Sequence, residues 1–231
     1  SFKATFGVTY SRSDYNVNAG SSFGNGRDFS PYWNLINTPM HIPTTNFKDW
    51  NKPYGNDYSQ GSSYWASPDG FFNDYYSNPY FMIDNFRSVG KSDDILGNVE
   101  LNYKATSWLN FTYRLGGTIS SSSAKTTQAA FTYSPFAKAS GKSIAGTGDL
   151  VSAVGDNSFT SSRINSEFFA TFNKSYEKIK FDALIGTSWR ETTNKNVNVS
   201  SSNLGIPAVF NVLVRKGEPG ASEFNQKARL N

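Results

Sequence analysis

The sequence has no cysteine and a single histidine, and these two absences exclude several kinds of chemistry. Without cysteine the chain has no disulfide framework, no thiolate metal site and no cysteine nucleophile. The one histidine, His41, lies between Met40 and Ile42 just before a proline, which favours a packed loop residue. Serine is abundant, but no nucleophile-elbow pattern accompanies it, so a hydrolase triad is disfavoured. We therefore expect no catalytic residue, no metal site, no cofactor and no enzymatic activity.

Long apolar runs and clustered charge are also missing. No apolar run approaches the roughly 20 residues that a membrane-spanning helix needs, and the mean hydropathy is −0.51. Strands that alternate apolar and polar residues escape this test, because their average hydropathy stays low even when one whole face is apolar. The net charge is +4, but the basic residues are scattered, which disfavours a nucleic-acid partner.

The sequence does have repeated alternation, in a chain of which 16% is aromatic. Successive side chains of a strand point to opposite faces, so an alternating segment predicts a strand with one apolar and one polar face. A hairpin is predicted around a polar break at Thr106 and Ser107. The predicted strands are residues 2–11, 95–105, 109–119, 164–173 and 179–190, with a sixth near residues 226–231. The fold class is therefore all-β and antiparallel.

The connections between these strands alternate strictly between short and long. Thr106 and Ser107 form one short turn and residues 175–178 form another, whereas the long connections cover about residues 12–93, 120–160 and 191–225. In an up-and-down sheet, alternate connections lie at the same end, so all the long ones are expected together. Short turns at one end and long extracellular loops at the other are typical of transmembrane β-barrels, and a soluble sandwich has no physical reason for this asymmetry.

Strand length and aromatic placement agree with a barrel. An apolar band about 25 Å tall, crossed by tilted strands, needs roughly ten residues per crossing, as residues 179–189 provide. Aromatic residues at strand ends predict girdles at the two membrane interfaces, although each is also compatible with an ordinary core. The expected lipid-facing residues are Val99, Leu101, Phe111, Leu115, Phe181 and Ile185. The expected interface aromatics are Tyr103, Trp108 and Tyr176 at the short-turn end, and Tyr10 and Trp189 at the loop end.

The first long connection is rich in aromatic side chains. Such rings can stack on a sugar or a partner protein, but a loop of this length also needs a small core of its own, and either role fits any one residue. The candidates for contact with a substrate or partner are Trp33, Trp50, Tyr64, Trp65, Tyr75 and Tyr80. Residues 69–74, DGFFND, carry oxygen ligands but lack the regular spacing of a Ca²⁺ loop, so we expect a turn there.

The loops resemble those of one membrane-protein family. The segments LINTPMHIPTTNFKDW (residues 35–50) and YSNPYFMIDNFR (residues 76–87), followed by the hairpin GNVELNYKATSWL (residues 97–109), are similar to SusC/RagA-type TonB-dependent outer-membrane transporters. GTSWRE (residues 186–191) and the stretch from IPAVFNV to KG (residues 206–217) resemble later family sequence in the expected order. The resemblance covers nearly the whole chain.

The resemblance implies a function and partners. Family members are large plugged barrels that import glycans or peptides across the bacterial outer membrane, driven by TonB, with a SusD-like surface lipoprotein as a lid. The chain is then expected to be a middle section of such a barrel, surrounded by outer-membrane lipid. Its plug, its remaining strands and its TonB-contacting part would be supplied by sequence outside these 231 residues.

Two other functions are compatible with the strands and aromatics. A secreted β-sandwich that binds carbohydrate would bury the apolar faces of two sheets against each other. An outer-membrane barrel enzyme or adhesin would share the strands but would have neither plug nor lid.

Overall fold

The chain folds mainly into long β-strands, in a computed structural model that describes residues 1–18, 31–36, 38–40, 43–49, 78–132 and 149–231. The strands are β1 (Phe2–Asn18), β2 (Phe86–Lys104), β3 (Leu109–Gln128), β4 (Ala153–Tyr176), β5 (Ile179–Ser202) and β6 (Gly220–Leu230). The described parts of the connections include two short α-helices, α1 (Pro31–Ile36) and α2 (Pro79–Asn85), and two 3₁₀ turns, Thr44–Phe47 and Val212–Val214. No helix in the described ranges is both long and apolar enough to cross a membrane.

The six strands form one antiparallel sheet in the order β1-β2-β3-β4-β5-β6, so the all-β, up-and-down prediction is confirmed. Phe2 pairs with Tyr103 and Asn18 pairs with Arg87, which places the start of β1 beside the β2–β3 turn. That turn and the β4–β5 turn therefore lie at one end of the sheet, and all three long connections lie at the other. The described residues contain this one sheet, rather than the two packed sheets that the sandwich alternative requires.

The predicted bounds of the strands and loops were wrong at the long-connection end. The connections expected at about residues 12–93, 120–160 and 191–225 are residues 19–85, 129–152 and 203–219, because the strands continue farther. β4 and β5 have 24 residues each. The added lengths are rich in Ser, Thr, Asn and charged residues on both faces, so they show little alternation of polarity. The sixth strand also begins earlier than expected, at Gly220.

Most buried apolar side chains lie at the long-connection end, where they join the three connections. Phe81 and Met82 of α2 are buried, and the Phe81 ring contacts Phe131 of the second connection at a centroid distance of 4.8 Å. The second connection is joined to the third, since the Asn203 N–H donates to the Ser152 carbonyl at 2.7 Å. Phe86, Leu150, Val154 and Leu204 are the other buried apolar side chains described in this region. Away from that end, Ala170 is the only buried apolar side chain of the sheet among the described residues.

Candidate functional site

One face of the sheet carries a continuous apolar band. Because directly paired residues of neighbouring strands share a face, the register aligns Phe2, Tyr103, Phe111, Ala170 and Ile185 in one row. The apolar band is defined as the side chains on this face within residues 2–10, 95–103, 109–119, 164–172 and 179–189. No charged side chain lies among them.

The apolar band is exposed. Phe6 is 80% exposed, Val8 75% and Ile185 68%. Large contiguous apolar surfaces are rare on soluble monomers and mark a contact with another phase or molecule. Of the six side chains expected to face lipid, all lie on this face: Val99, Leu115, Phe181 and Ile185 are exposed, and Leu101 and Phe111 are half-buried. Phe111 is partly covered because its ring stacks on Phe168, with centroids 6.1 Å apart.

Polar groups inside the apolar band contact each other. The Ser166 hydroxyl donates to the Tyr113 hydroxyl oxygen at 3.2 Å, so two of the few polar side chains on this face are paired. Such pairing lowers the cost of placing hydroxyls in an apolar medium.

Aromatic residues lie at both ends of the apolar band, although Tyr10 and Trp189 lie within β1 and β5 and not at strand ends. At the long-connection end, the Tyr10 hydroxyl donates to Asp93 Oδ1 at 2.5 Å, so its polar atom is directed toward the first charged row. At the short-turn end, the Trp108 ring stacks on Phe172 at 6.2 Å and lies 5.7 Å from Lys174 Nζ. Tyr103 is the penultimate residue of β2, Tyr176 is the last residue of β4, and Trp189 ends the apolar segment of β5.

The apolar band crosses the strands obliquely. Phe6, the centre of the β1 segment, shares a row with Trp189 on β5. The centre of the β5 segment is position 184, five residues nearer the short-turn end. The band is displaced along the strands by five residues, at about 3.3 Å each, across four strand spacings of about 4.8 Å each. The strands are therefore tilted by about 40° from the normal to the band. An apolar segment of about ten residues at this tilt is about 25 Å tall.

The opposite face is polar and internally hydrogen-bonded. Arg114 Nε donates to Glu100 Oε2 at 2.7 Å, and the Thr112 hydroxyl, which is buried, donates to Asn102 Oδ1 at 2.7 Å. The Arg114 guanidinium also lies 5.1 Å from the centroid of the Phe169 ring. Phe169, an exception to the alternation, is therefore covered by a cation on this face.

On the face that carries the apolar band, the rows between the band and the long connections contain ion pairs. Arg12 contacts Asp14 at 3.0 Å, and Lys125 contacts Asp156 at 2.8 Å. Glu191 accepts from Lys227 at 2.9 Å and from Arg229 at 2.6 Å. These two hydrogen bonds, that of Lys227 first, lower the pKa of the Glu191 carboxyl. The rows outside the band are thus suited to water or to polar headgroups.

The loop aromatics expected to contact a substrate or partner fall mostly outside the described residues. Trp50, Tyr64, Trp65 and Tyr75 lie outside them, and of Trp33 only the backbone, in α1, is described. Tyr80 is half-buried in the first turn of α2, where its N–H donates to Asn78 Oδ1 at 2.9 Å. Other apolar side chains are exposed at this end, including Tyr32, Ile36, Ile206 and Leu213.

In the part of the chain that the structure describes, no three His, Cys, Asp or Glu side chains come together as a metal site. No known protein-family model matches the chain. No curated protein matches it either.

Proposed function

We propose that the six strands are part of a large transmembrane β-barrel in a bacterial outer membrane, with the apolar band in lipid. The observation that carries the proposal is the band itself: exposed, free of charge, and oblique to the strands. Its tilt of about 40° and height of about 25 Å match the strand tilt and apolar belt of outer-membrane barrels. A sandwich would need a second sheet over the apolar band.

The edges of the sheet support the same proposal. Within the described residues, β1 pairs only with β2, and residues 179–189 of β5 pair only with β4. Backbone groups at such edges need partners in lipid, because no water is present there to satisfy them. Further strands of the same barrel are the partners we propose, as a closed barrel requires.

We infer transport from the sequence resemblance. The barrel imports a nutrient, a glycan or a peptide, as a TonB-dependent SusC-like transporter without enzymatic activity of its own. The polar face lines the lumen and contacts the plug, and TonB acts through residues outside this chain. The exposed apolar side chains at the long-connection end, such as Ile206 and Leu213, are suited to contact with a SusD-like lid lipoprotein.

The experiment compares the two faces of the β2–β3 hairpin in the intact protein. The chain has no cysteine, so single cysteines at Val99, Phe111 and Asn98 can carry a fluorescent label. We expect lipid-embedded quenchers to quench the labels at Val99 and Phe111 but not at Asn98, and water-soluble thiol reagents to react only at Asn98. Thr112 is unsuitable as the polar-face position because it is buried. If no position is quenched by lipid, the membrane proposal is wrong.

A further inference from the structure

Near the long connections, the polar face has an uncharged patch with two aromatic rings. The register aligns Phe159 of β4, Asn196 of β5 and Phe224 of β6 in one row, and the rows on either side contribute amides. The amide patch is defined as Asn157, Phe159, Asn194, Asn196, Phe224 and Gln226. Phe224 is 58% exposed and Phe159 is half-buried.

The amides of this patch are oriented by hydrogen bonds to each other. Asn157 Nδ2 donates to Asn196 Oδ1 at 2.9 Å, and Asn194 Nδ2 donates to Gln226 Oε1 at 3.4 Å. The Ser161 hydroxyl donates to Asn194 Oδ1 at 2.8 Å. Among the described residues, Asn196 Nδ2 and Gln226 Nε2 remain as donors and Asn157 Oδ1 remains as an acceptor. The patch thus presents both hydrogen-bonding senses, fixed in place by rigid strands.

Along β5 and β6, the charged side chains beside the amide patch lie on the other face. Lys195, Glu223 and Lys227 alternate with the amide patch and point away from it, and Lys195 pairs with Glu223 at 3.0 Å. The amide patch itself has no charge to pair with the charged ends or side chains of a peptide. By register, the nearest described charged side chains on its face are Arg163, in the next row on β4, and Asp94 on β2. A ligand with many neutral hydroxyls finds donors, acceptors and two aromatic rings.

We propose that the amide patch is a binding site for a neutral oligosaccharide. The electron-rich ring faces of Phe159 and Phe224, about 10 Å apart at the backbone, attract the C–H faces of sugar rings. Asn196, between them, donates to a sugar hydroxyl, and Asn157 accepts from one. This proposal rests on the transport function proposed above, because it identifies the imported nutrient as a glycan and not a peptide.

The test uses the intact protein in detergent on an array of neutral oligosaccharides, acidic oligosaccharides and peptides. We expect binding to neutral oligosaccharides, weakened about 10-fold or more by Phe224→Ala and by Asn196→Leu, and retained by Phe224→Tyr. Val197→Ala is the matched control, since Val197 lies on β5 beside Asn196 but on the opposite face of the sheet. We expect this variant to bind neutral oligosaccharides as the unaltered protein does.

Binding only to peptides or acidic sugars, binding to nothing on the array, or equal binding by Phe224→Ala and the control would overturn the site. Lipid quenching at Val99 separates this outcome from the membrane proposal. Quenching without neutral-sugar binding overturns the amide patch alone, whereas patch-dependent sugar binding without quenching overturns the membrane placement alone.

Discussion

Phe6 and Trp189 lie in the same row of the sheet, four strands apart, yet Phe6 is at the centre of its apolar segment and Trp189 is at the end of its own. This offset is the reason for the oblique apolar band. If the band lies in a bilayer, two residues of one row are at different depths.

The first prediction concerns these depths. Single labelled cysteines at positions 6 and 189 are placed in the intact protein, in bilayers whose lipids are brominated either deep in the acyl chains or near the headgroups. We expect the label at 6 to be quenched most by deep bromines and the label at 189 most by shallow ones. A label at position 14, in a charged row of the same face, serves as the unquenched control. Equal depths at 6 and 189 would contradict the tilt.

The second prediction concerns charge in the centre of the apolar band. Val99 lies in the row of Phe6, so Val99→Arg places a cation near the middle of the membrane and is expected to cost about 2 to 4 kcal/mol. Asn98→Arg places the same side chain on the polar face and is expected to be nearly silent. Urea unfolding of the intact protein in lipid vesicles measures both variants. Equal losses in the two would mean that the faces do not differ in environment.

The third prediction compares two glycines on β2. A Cβ at Gly90 would lie 2.5 Å from the Tyr15 hydroxyl oxygen and 2.6 Å from the Ser123 carbonyl oxygen, whereas a Cβ at Gly97 meets nothing within 4 Å. We expect Gly90→Ala to destabilise the protein by about 1 to 3 kcal/mol, because the backbone of β3 must shift. Gly97→Ala should be tolerated. Thermal unfolding distinguishes them, and a larger loss at Gly97 would be inconsistent with this packing.

The apolar segments could be predicted from the sequence because a strand with one apolar face shows a period of two. The polar extensions of the strands could not. Around Arg12 and Asp93, for example, the residues on both faces are hydrophilic, so the pattern resembles a loop. Only the backbone pairing reveals the strand there. The strand order and the common end of the long connections could be predicted from the alternation of short and long connections alone.

The candidate sites differ in the same way. The common face of the side chains expected to contact lipid was predictable, because Val99 and Leu115 belong to alternating segments. The amide patch was not, because Phe159 and Phe224 are single aromatic residues in polar runs, and a register between three strands is needed to align them. The contact between Phe81 and Phe131 likewise joins residues too far apart in sequence for any local pattern to indicate it.

The fourth prediction concerns acid and the attachment of β6 to β5. Because Lys227 and Arg229 lower the pKa of Glu191 below its ordinary value of 4.5, the ionised carboxylate stabilises the folded state. This stabilisation is fully present above the unfolded-state pKa and is lost as the pH falls through the lower folded-state pKa. In the intact protein, we expect hydrogen exchange of the β6 amides, compared at each pH with that of Glu191→Gln, to show extra protection at neutral pH. The extra protection should decrease as the pH falls below 4.5 and should disappear once the pH is below the lowered folded-state pKa of Glu191. Glu218→Gln, in the β5–β6 connection, is the matched control and should behave as the unaltered protein does; a pH-independent difference for Glu191→Gln would show that its charge does not hold β6.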